Sequence, residues 1–104
     1  MKLESYGYKE RVFKARRMTL AEMRIGVLQI LFEKHYSFAH IRLVDIYSGE
    51  VDTFKSTNDF LMAEFNESWQ IDLLSIKEMN IYDEEEKVSH VTIVILIEDA
   101  ERDE

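Results

Sequence analysis

Residues 19–35 carry apolar side chains at helical spacing. One stripe contains Leu20, Met23, Val27, Ile30 and Leu31, and a second stripe beside it contains Ile25, Leu28 and Phe32. Thr19 followed by Glu22 is typical of a capping box, so we expect the helix to begin at Thr19. Because the two stripes cover most of the circumference, the helix is predicted to be buried on most sides or to form the interface of a homodimer.

Residues 37–47 and 88–97 have the pattern of strands. The first segment is rich in β-branched and aromatic residues. The Ser48-Gly49 turn signal after it predicts that residues 51–55 pair back as a hairpin. In residues 88–97 both faces are apolar, which is typical of the centre of a sheet. One face carries Val91, Ile93, Ile95 and Ile97, and the other carries Val94 and Leu96.

The segment between these strands is less regular. Ser56 or Thr57 is predicted to cap a short helix that reaches Phe65. Residues 69–82 fit either a strand or a helix, because Leu73-Leu74 interrupts an alternating pattern. We favour a strand with a bulge, since the acidic run that follows then forms the turn into the last strand.

These elements predict an α+β fold. We expect a single compact domain in which a mostly antiparallel sheet of four to five strands packs against one long and one short helix. Residues 1–17 are interpreted as a basic, aromatic arm or edge strand, residues 18–98 as the globular domain and residues 99–104 as an acidic tail. A chain of 104 residues has room for one buried core and is too short for two domains.

The composition excludes several kinds of chemistry. The chain has no cysteine, which excludes disulfides, thiolate metal sites and cysteine nucleophiles. It has no proline and only three glycines, so a Gly-rich phosphate loop and a Gly-x-Ser-x-Gly elbow are excluded too. The first residues form no apolar leader, and the apolar stretch 91–97 is too short to span a bilayer. We therefore expect a cytoplasmic protein with no membrane partner.

Charge is divided between two parts of the chain. Residues 1–42 contain nine Lys or Arg and four Asp or Glu, a net charge of +5, whereas residues 43–104 contain four and seventeen, a net charge of −13. An acidic surface of this kind attracts basic proteins. It resembles, in kind only, the small acidic inhibitors that occupy basic nucleic-acid grooves, namely immunity, anti-restriction and anti-CRISPR proteins.

We therefore expect a non-enzymatic protein that docks on a basic, nucleic-acid-handling protein and blocks it. Charge would steer the encounter, and aromatic anchors would then be buried among carboxylates. The other interpretation of these carboxylates is ordinary solubilising charge. The predicted partner-binding residues are Asp45, Tyr47, Glu50, Asp52, Trp69, Asp72, Tyr82, Asp83, Glu84, Glu85 and Glu86.

The basic N-terminal segment offers an alternative function. Cations for phosphates and rings for stacking on bases are interleaved there, as in proteins that bind single-stranded nucleic acid. A nucleic-acid-binding domain is usually basic overall, however, and this chain has a net charge of −8. In this alternative, a small accessory or regulatory protein binds nucleic acid through Tyr6, Tyr8, Lys9, Arg11, Lys14, Arg16 and Arg17.

No sequence pattern predicts a metal, a cofactor or a catalytic centre. If the strands that carry His40 and His90 are neighbours, the two rings approach a carboxylate such as Asp45 or Asp72. The histidines nevertheless lack the spacing of known metal motifs. The acidic run 83–86 also lacks the alternating ligands and the glycine of a calcium loop. We therefore expect no bound metal, no cofactor and no enzymatic activity.

Overall fold

Five strands and two helices form the α+β domain in a computed structural model, which describes residues 9–33 and 39–101 and the side chains of residues 16–33 and 39–101. The strands form one mixed sheet in the order β1-β4-β5-β2-β3. The predicted fold class is thereby confirmed. In chain order the elements are β1 (Lys9–Thr19), α1 (Leu20–Glu33), β2 (His40–Asp45), β3 (Val51–Phe54), α2 (Thr57–Met62), β4 (Gln70–Asp83) and β5 (Val88–Asp99).

Helix α1 begins where the sequence predicts because its capping box forms. The Thr19 hydroxyl oxygen accepts the backbone N–H of Glu22 at 3.1 Å, and the Glu22 carboxylate accepts the backbone N–H of Thr19 at 3.3 Å. These bonds satisfy two donors that the first turn leaves unpaired. The described part of the helix runs to Glu33, and the predicted end at residue 35 falls in residues 34–38, which lie outside the described part of the chain.

Helix α2 also begins at a predicted cap and ends earlier than predicted. The Ser56 hydroxyl oxygen accepts the backbone N–H of Asp59 at 3.1 Å. The sequence predicts a helix that reaches Phe65, but α2 ends at Met62 because Ala63 has an extended backbone with ψ 139°. Phe65 therefore lies in the segment that joins α2 to β4. There its ring packs edge to face against Phe60 of α2 and lies beneath the guanidinium of Arg24 of α1.

The ambiguous segment is a strand with a bulge, as favoured from the sequence. β4 pairs antiparallel with β5, and the register shifts between Leu73 and Ser75. The bulge accommodates the two consecutive leucines that break the alternation. β5 lies at the centre of the sheet between β4 and β2, and its predicted central position is confirmed.

One pairing in the sheet is parallel. β2 runs parallel to β5, with His40 opposite Thr92 and Asp45 opposite Ile97, whereas the other three pairings are antiparallel. The chain reaches this arrangement because α1 carries it across the sheet from the β1 edge to β2. As a result, β2 lies alongside the second half of β5, and both strands run towards the same end of the sheet.

Both helices contribute to one core on the same face of the sheet. Met23, Val27 and Leu31 of α1 and Phe60 of α2 are each exposed by 1% or less. Alternate residues of the strands complete this core, as expected when side chains point to opposite faces in turn. The strand residues of the core are Ile41, Leu43, Ile71, Leu73, Ile76, Ile93, Ile95 and Ile97.

Candidate functional site

The predicted partner-binding carboxylates form two groups at opposite ends of β5. Asp83 pairs with Val88 at the first end, and Ile71 pairs with Asp99 at the other. A strand of this length spans about 36 Å at 3.3 Å per residue. The structure therefore divides the single acidic surface expected from the sequence into two separate sites. We call them the turn cluster (residues 83–86 with His40 and His90) and the Trp69 cleft (Asp45, Glu50, Asp52, Trp69 and Asp99 with their apolar neighbours).

The Trp69 cleft combines a carboxylate rim with an apolar floor. It is a cavity of about 300 Å³. Four carboxylates line it together with six apolar side chains. These ten residues come from separate parts of the chain, which the fold brings together. Its lining residues are Asp45, Glu50, Asp52, Asp99, Leu20, Leu43, Phe65, Trp69, Ile71 and Ile97.

Trp69 is held rigidly in this cleft. Its indole N–H donates to Asp99 Oδ1 at 2.9 Å, its backbone N–H donates to the Asn66 carbonyl at 2.9 Å, and its carbonyl accepts the backbone N–H of Leu20 at 2.9 Å. The ring is partly buried and packs against the core. Trp69 thus presents a fixed aromatic surface beside carboxylates, as a partner-binding anchor requires.

Asp45 organises the loop that forms one wall of the cleft. Its Oδ1 accepts the backbone N–H of Tyr47 at 2.9 Å and that of Asp99 at 3.3 Å. Gly49 follows at φ +79°, a conformation that favours glycine, and its N–H donates to the Asp45 carbonyl at 2.8 Å. Glu50, in contrast, is exposed at the rim. Asp45 therefore shapes the cleft, whereas exposed Glu50 and Asp52 supply accessible charge.

The turn cluster is built on the four-residue turn between β4 and β5. Asp83 Oδ1 accepts the backbone N–H of Glu85 at 2.8 Å and that of Glu86 at 3.1 Å. The N–H of Glu86, assisted by that of Glu85, holds the pKa of Asp83 below its ordinary value. The Asp83 carbonyl accepts the N–H of Lys87 at 2.7 Å, which closes the turn.

Two histidines lie against this turn because β2 and β5 are neighbours. The rings of His40 and His90 are stacked, with centroids 4.0 Å apart and an angle of 18° between their planes. His90 Nε2 lies 2.9 Å from Glu86 Oε2. Burial lowers the pKa of His40 below its ordinary value, and the charge of neighbouring His90 lowers it further. The carboxylates that meet these rings are Glu86 and Asp83, and the suggestion of Asp45 or Asp72 is wrong because both lie towards the opposite end of the sheet.

We expect Lys87→Gly to raise the free energy of unfolding by about 0.5–1 kcal/mol. Lys87 has φ 58°, a left-handed conformation that costs a residue with a side chain about 1–2 kcal/mol. Glycine removes that cost but loses about 0.5–1 kcal/mol more conformational entropy on folding. Urea unfolding of both proteins measures the difference. Gly49→Ala is the opposite control and should destabilise, whereas a Lys87→Gly protein no more stable than the parent would contradict the turn geometry.

The remaining predicted partner-binding residues lie apart from each other. Tyr47 is 52% exposed in the loop after β2, beside the Trp69 cleft, and Tyr82 is 58% exposed at the other end of the sheet. Asp72 faces Arg17 across β4 and β1, with its Oδ1 3.3 Å from Arg17 Nε. Tyr47 and Trp69 therefore lie at one acidic site and Tyr82 at the other, and Asp72 is engaged in an ion pair.

The residues of the nucleic-acid alternative are only partly described. Tyr6 and Tyr8 lie outside the described residues. Arg16 is exposed beside a groove between β1 and α1, and Arg17 forms the ion pair with Asp72. The backbones of Lys9, Arg11 and Lys14 belong to edge strand β1. Nucleic-acid binding by this segment stays a prediction.

Sequence reasoning missed Asp99 as a site residue because residues 99–104 are predicted to be a tail, whereas β5 continues to Asp99 and brings it to Trp69.

The predicted homodimer stays a prediction. Ile25 and Phe32 of α1 are 60% and 67% exposed in the single chain. Within the described residues, neither helix has the length and hydropathy needed to cross a membrane.

Comparisons with known proteins give this site no precedent. No protein-family model, no curated protein and no solved structure matches the chain. The function therefore has to be inferred from the two acidic sites themselves.

Proposed function

We propose that this chain is a non-enzymatic acidic binding protein that docks on a basic, nucleic-acid-handling protein and blocks its nucleic-acid surface. The observation that carries the proposal is the Trp69 cleft, where Asp45, Glu50, Asp52 and Asp99 surround an apolar floor. Carboxylates held on a rigid sheet present the same sign of charge as a phosphate backbone, which basic grooves bind.

The chemistry of the cleft fits a lysine or arginine side chain of the partner. Such a side chain has an aliphatic stem and a cationic head. The stem would lie on apolar residues such as Leu43 and Phe65, and the head would lie among the carboxylates at the rim. The face of Trp69 adds a cation–π contact, worth about 0.5–2 kcal/mol depending on its burial. The cleft is therefore the point where docking gains its specificity.

The net charge of −13 over residues 43–104 acts before contact. Charges outside the contact region raise the association rate, and salt screens their effect. The acidic turn of the turn cluster, at the other end of β5 from Asp99 of the cleft, contributes to this long-range attraction. The two acidic sites thus have different roles in one encounter: the turn cluster attracts, and the Trp69 cleft holds.

Capture from the native cell at low and at high salt should identify the partner. The purified partner should then bind either nucleic acid or this chain but not both. We expect Glu50→Lys with Asp52→Lys to weaken binding by at least about tenfold, mainly through faster dissociation, because a charge pair buried at an interface is worth more than about 1.4 kcal/mol.

Glu84→Lys with Glu85→Lys is the matched comparison, because it changes the same charge at the other end of the sheet. We expect it to weaken binding only a few-fold, through slower association that added salt abolishes. Circular dichroism confirms that both variants fold. Equal losses from the two pairs, a complex that ignores salt, or a partner that holds nucleic acid and this chain together would contradict the proposal.

A further inference from the structure

Three side chains with metal-binding atoms converge in the turn cluster. Asp83 ends β4, Glu86 lies in the turn and His90 lies on β5. One ligand atom from each residue lies within 4.8 Å of the other two. The set combines an imidazole nitrogen with two carboxylate oxygens, so it differs from a simple patch of acidic residues. From this arrangement we propose that Asp83, Glu86 and His90 bind a divalent transition-metal ion such as Zn²⁺.

The distances suit such an ion. Ligand atoms around a tetrahedral Zn²⁺ lie about 3.4 Å apart, since each is about 2.0–2.1 Å from the metal. His90 Nε2 and Glu86 Oε2 are already 2.9 Å apart. The distances that involve Asp83 are at most 4.8 Å, so the three ligand atoms need shifts of no more than about 1.4 Å to reach the spacing around a tetrahedral ion. The ion would replace the direct His90–Glu86 contact and would neutralise the repulsion between the two carboxylates.

The surrounding structure orients the ligands before any ion binds. Two backbone N–H groups hold Asp83 Oδ1. The stacked ring of His40 holds the His90 ring at a centroid distance of 4.0 Å. In the sheet, Ile81 pairs with His90 and Asp83 pairs with Val88, which fixes the spacing of the two strands. Such surrounding contacts typically contribute about 10–100-fold to metal affinity.

The donor set selects the class of metal. Imidazole favours Zn²⁺ and its neighbours among the transition metals, whereas Ca²⁺ and Mg²⁺ prefer oxygen ligands throughout. Ca²⁺ also takes six to eight oxygen ligands, which exceeds what two carboxylates supply. Three protein ligands leave a coordination position for water. The adjoining cavity of about 460 Å³, lined also by Arg42 and Lys55, has room for that water.

Calorimetric titration of the full chain with Zn²⁺ alone, in a buffer that does not bind metal, tests the proposal. We expect one saturable site and a matching rise in melting temperature, because an ion that binds only the folded chain stabilises it. Ca²⁺ at the same concentrations should bind at least about tenfold more weakly. Absence of saturable Zn²⁺ binding at micromolar concentrations would overturn the proposal, as would equal binding of Ca²⁺.

Two matched pairs of variants locate the ion. Glu86→Gln and Glu84→Gln change the same charge in the same turn, but only Glu86 belongs to the ligand set. We expect Glu86→Gln to weaken Zn²⁺ binding by more than about tenfold and Glu84→Gln by less than about threefold. Similarly, His90→Gln should weaken binding more than His40→Gln. Equal losses from Glu86→Gln and Glu84→Gln, or a greater loss from His40→Gln than from His90→Gln, would show general charge attraction or a different ligand set, and would contradict the site.

The metal site and the docking contact at the Trp69 cleft can be tested separately, although the turn cluster also takes part in the proposed long-range attraction. The Trp69 cleft lies at the opposite end of β5, and no ligand of the metal site lines it. Zn²⁺ binding that survives Glu50→Lys with Asp52→Lys would keep the metal site even if no basic partner were found. A partner that dissociates from the Glu86→Gln protein as slowly as from the parent would keep the docking proposal even if the ion did not bind.

Discussion

Phe60→Ala is expected to lower the free energy of unfolding by about 3–5 kcal/mol. Phe60 is fully buried at 0% exposure, and among the described residues it is the largest side chain that is fully buried. Its ring packs edge to face against Phe54 and Phe65, with centroids 5.3 Å and 5.9 Å away. Truncation removes the apolar surface, leaves a cavity and also removes aromatic pairs that are each worth about 0.5–1.5 kcal/mol.

A six-residue helix would not form alone, so α2 depends on this anchor. Urea unfolding measures the loss as a shift of the midpoint at an unchanged slope. Leu61→Ala is the matched control on the same helix, because Leu61 is 46% exposed and should cost less than about 1 kcal/mol. A Phe60→Ala loss as small as that of Leu61→Ala would mean that α2 does not pack on the core as described.

Features set by neighbouring residues were predictable from the sequence. The capping box of Thr19 and Glu22 fixed the start of α1, and the Ser56 cap fixed the start of α2. The paired leucines at Leu73-Leu74 indicated the bulge in β4. Each of these signals lies within four residues of the structure it determines, so the periodicity and the capping chemistry are sufficient.

The candidate sites depended on long-range register, which periodicity does not encode. The parallel pairing of β2 with β5 stacks His40 on His90, and nothing local to either histidine indicates that pairing. The Trp69 cleft likewise joins carboxylates from β2, β3 and the loop between them with Asp99 at the end of β5. The sequence identified most of the carboxylates and the tryptophan, but only the topology shows which of them meet.

Arg24 links α1 to the segment that carries Trp69, and its loss is expected to have the second largest effect. Its guanidinium donates to the Ala63 carbonyl and to the Glu67 carboxylate. It also lies over the Phe65 ring, with Arg24 Cζ 4.9 Å from the ring centroid. The Arg24 side chain is only 13% exposed. Hydrogen bonds from a charged group are worth about 1.5–3 kcal/mol when shielded in this way.

We therefore expect Arg24→Met to lower the free energy of unfolding by about 2–3 kcal/mol, because methionine keeps the aliphatic packing but loses the charged contacts. Arg17→Met is the matched control. Arg17 forms an ion pair with Asp72, but its side chain is 61% exposed, so its loss should cost less than about 1 kcal/mol. Arg24→Lys should recover only part of the stability, since an ammonium lacks the planar fork of donors.

Because Phe65 also lines the Trp69 cleft, Trp69 fluorescence should change in Arg24→Met and stay constant in Arg17→Met. Equal losses from Arg24→Met and Arg17→Met, with no change in fluorescence, would mean that Arg24 does not support the cleft.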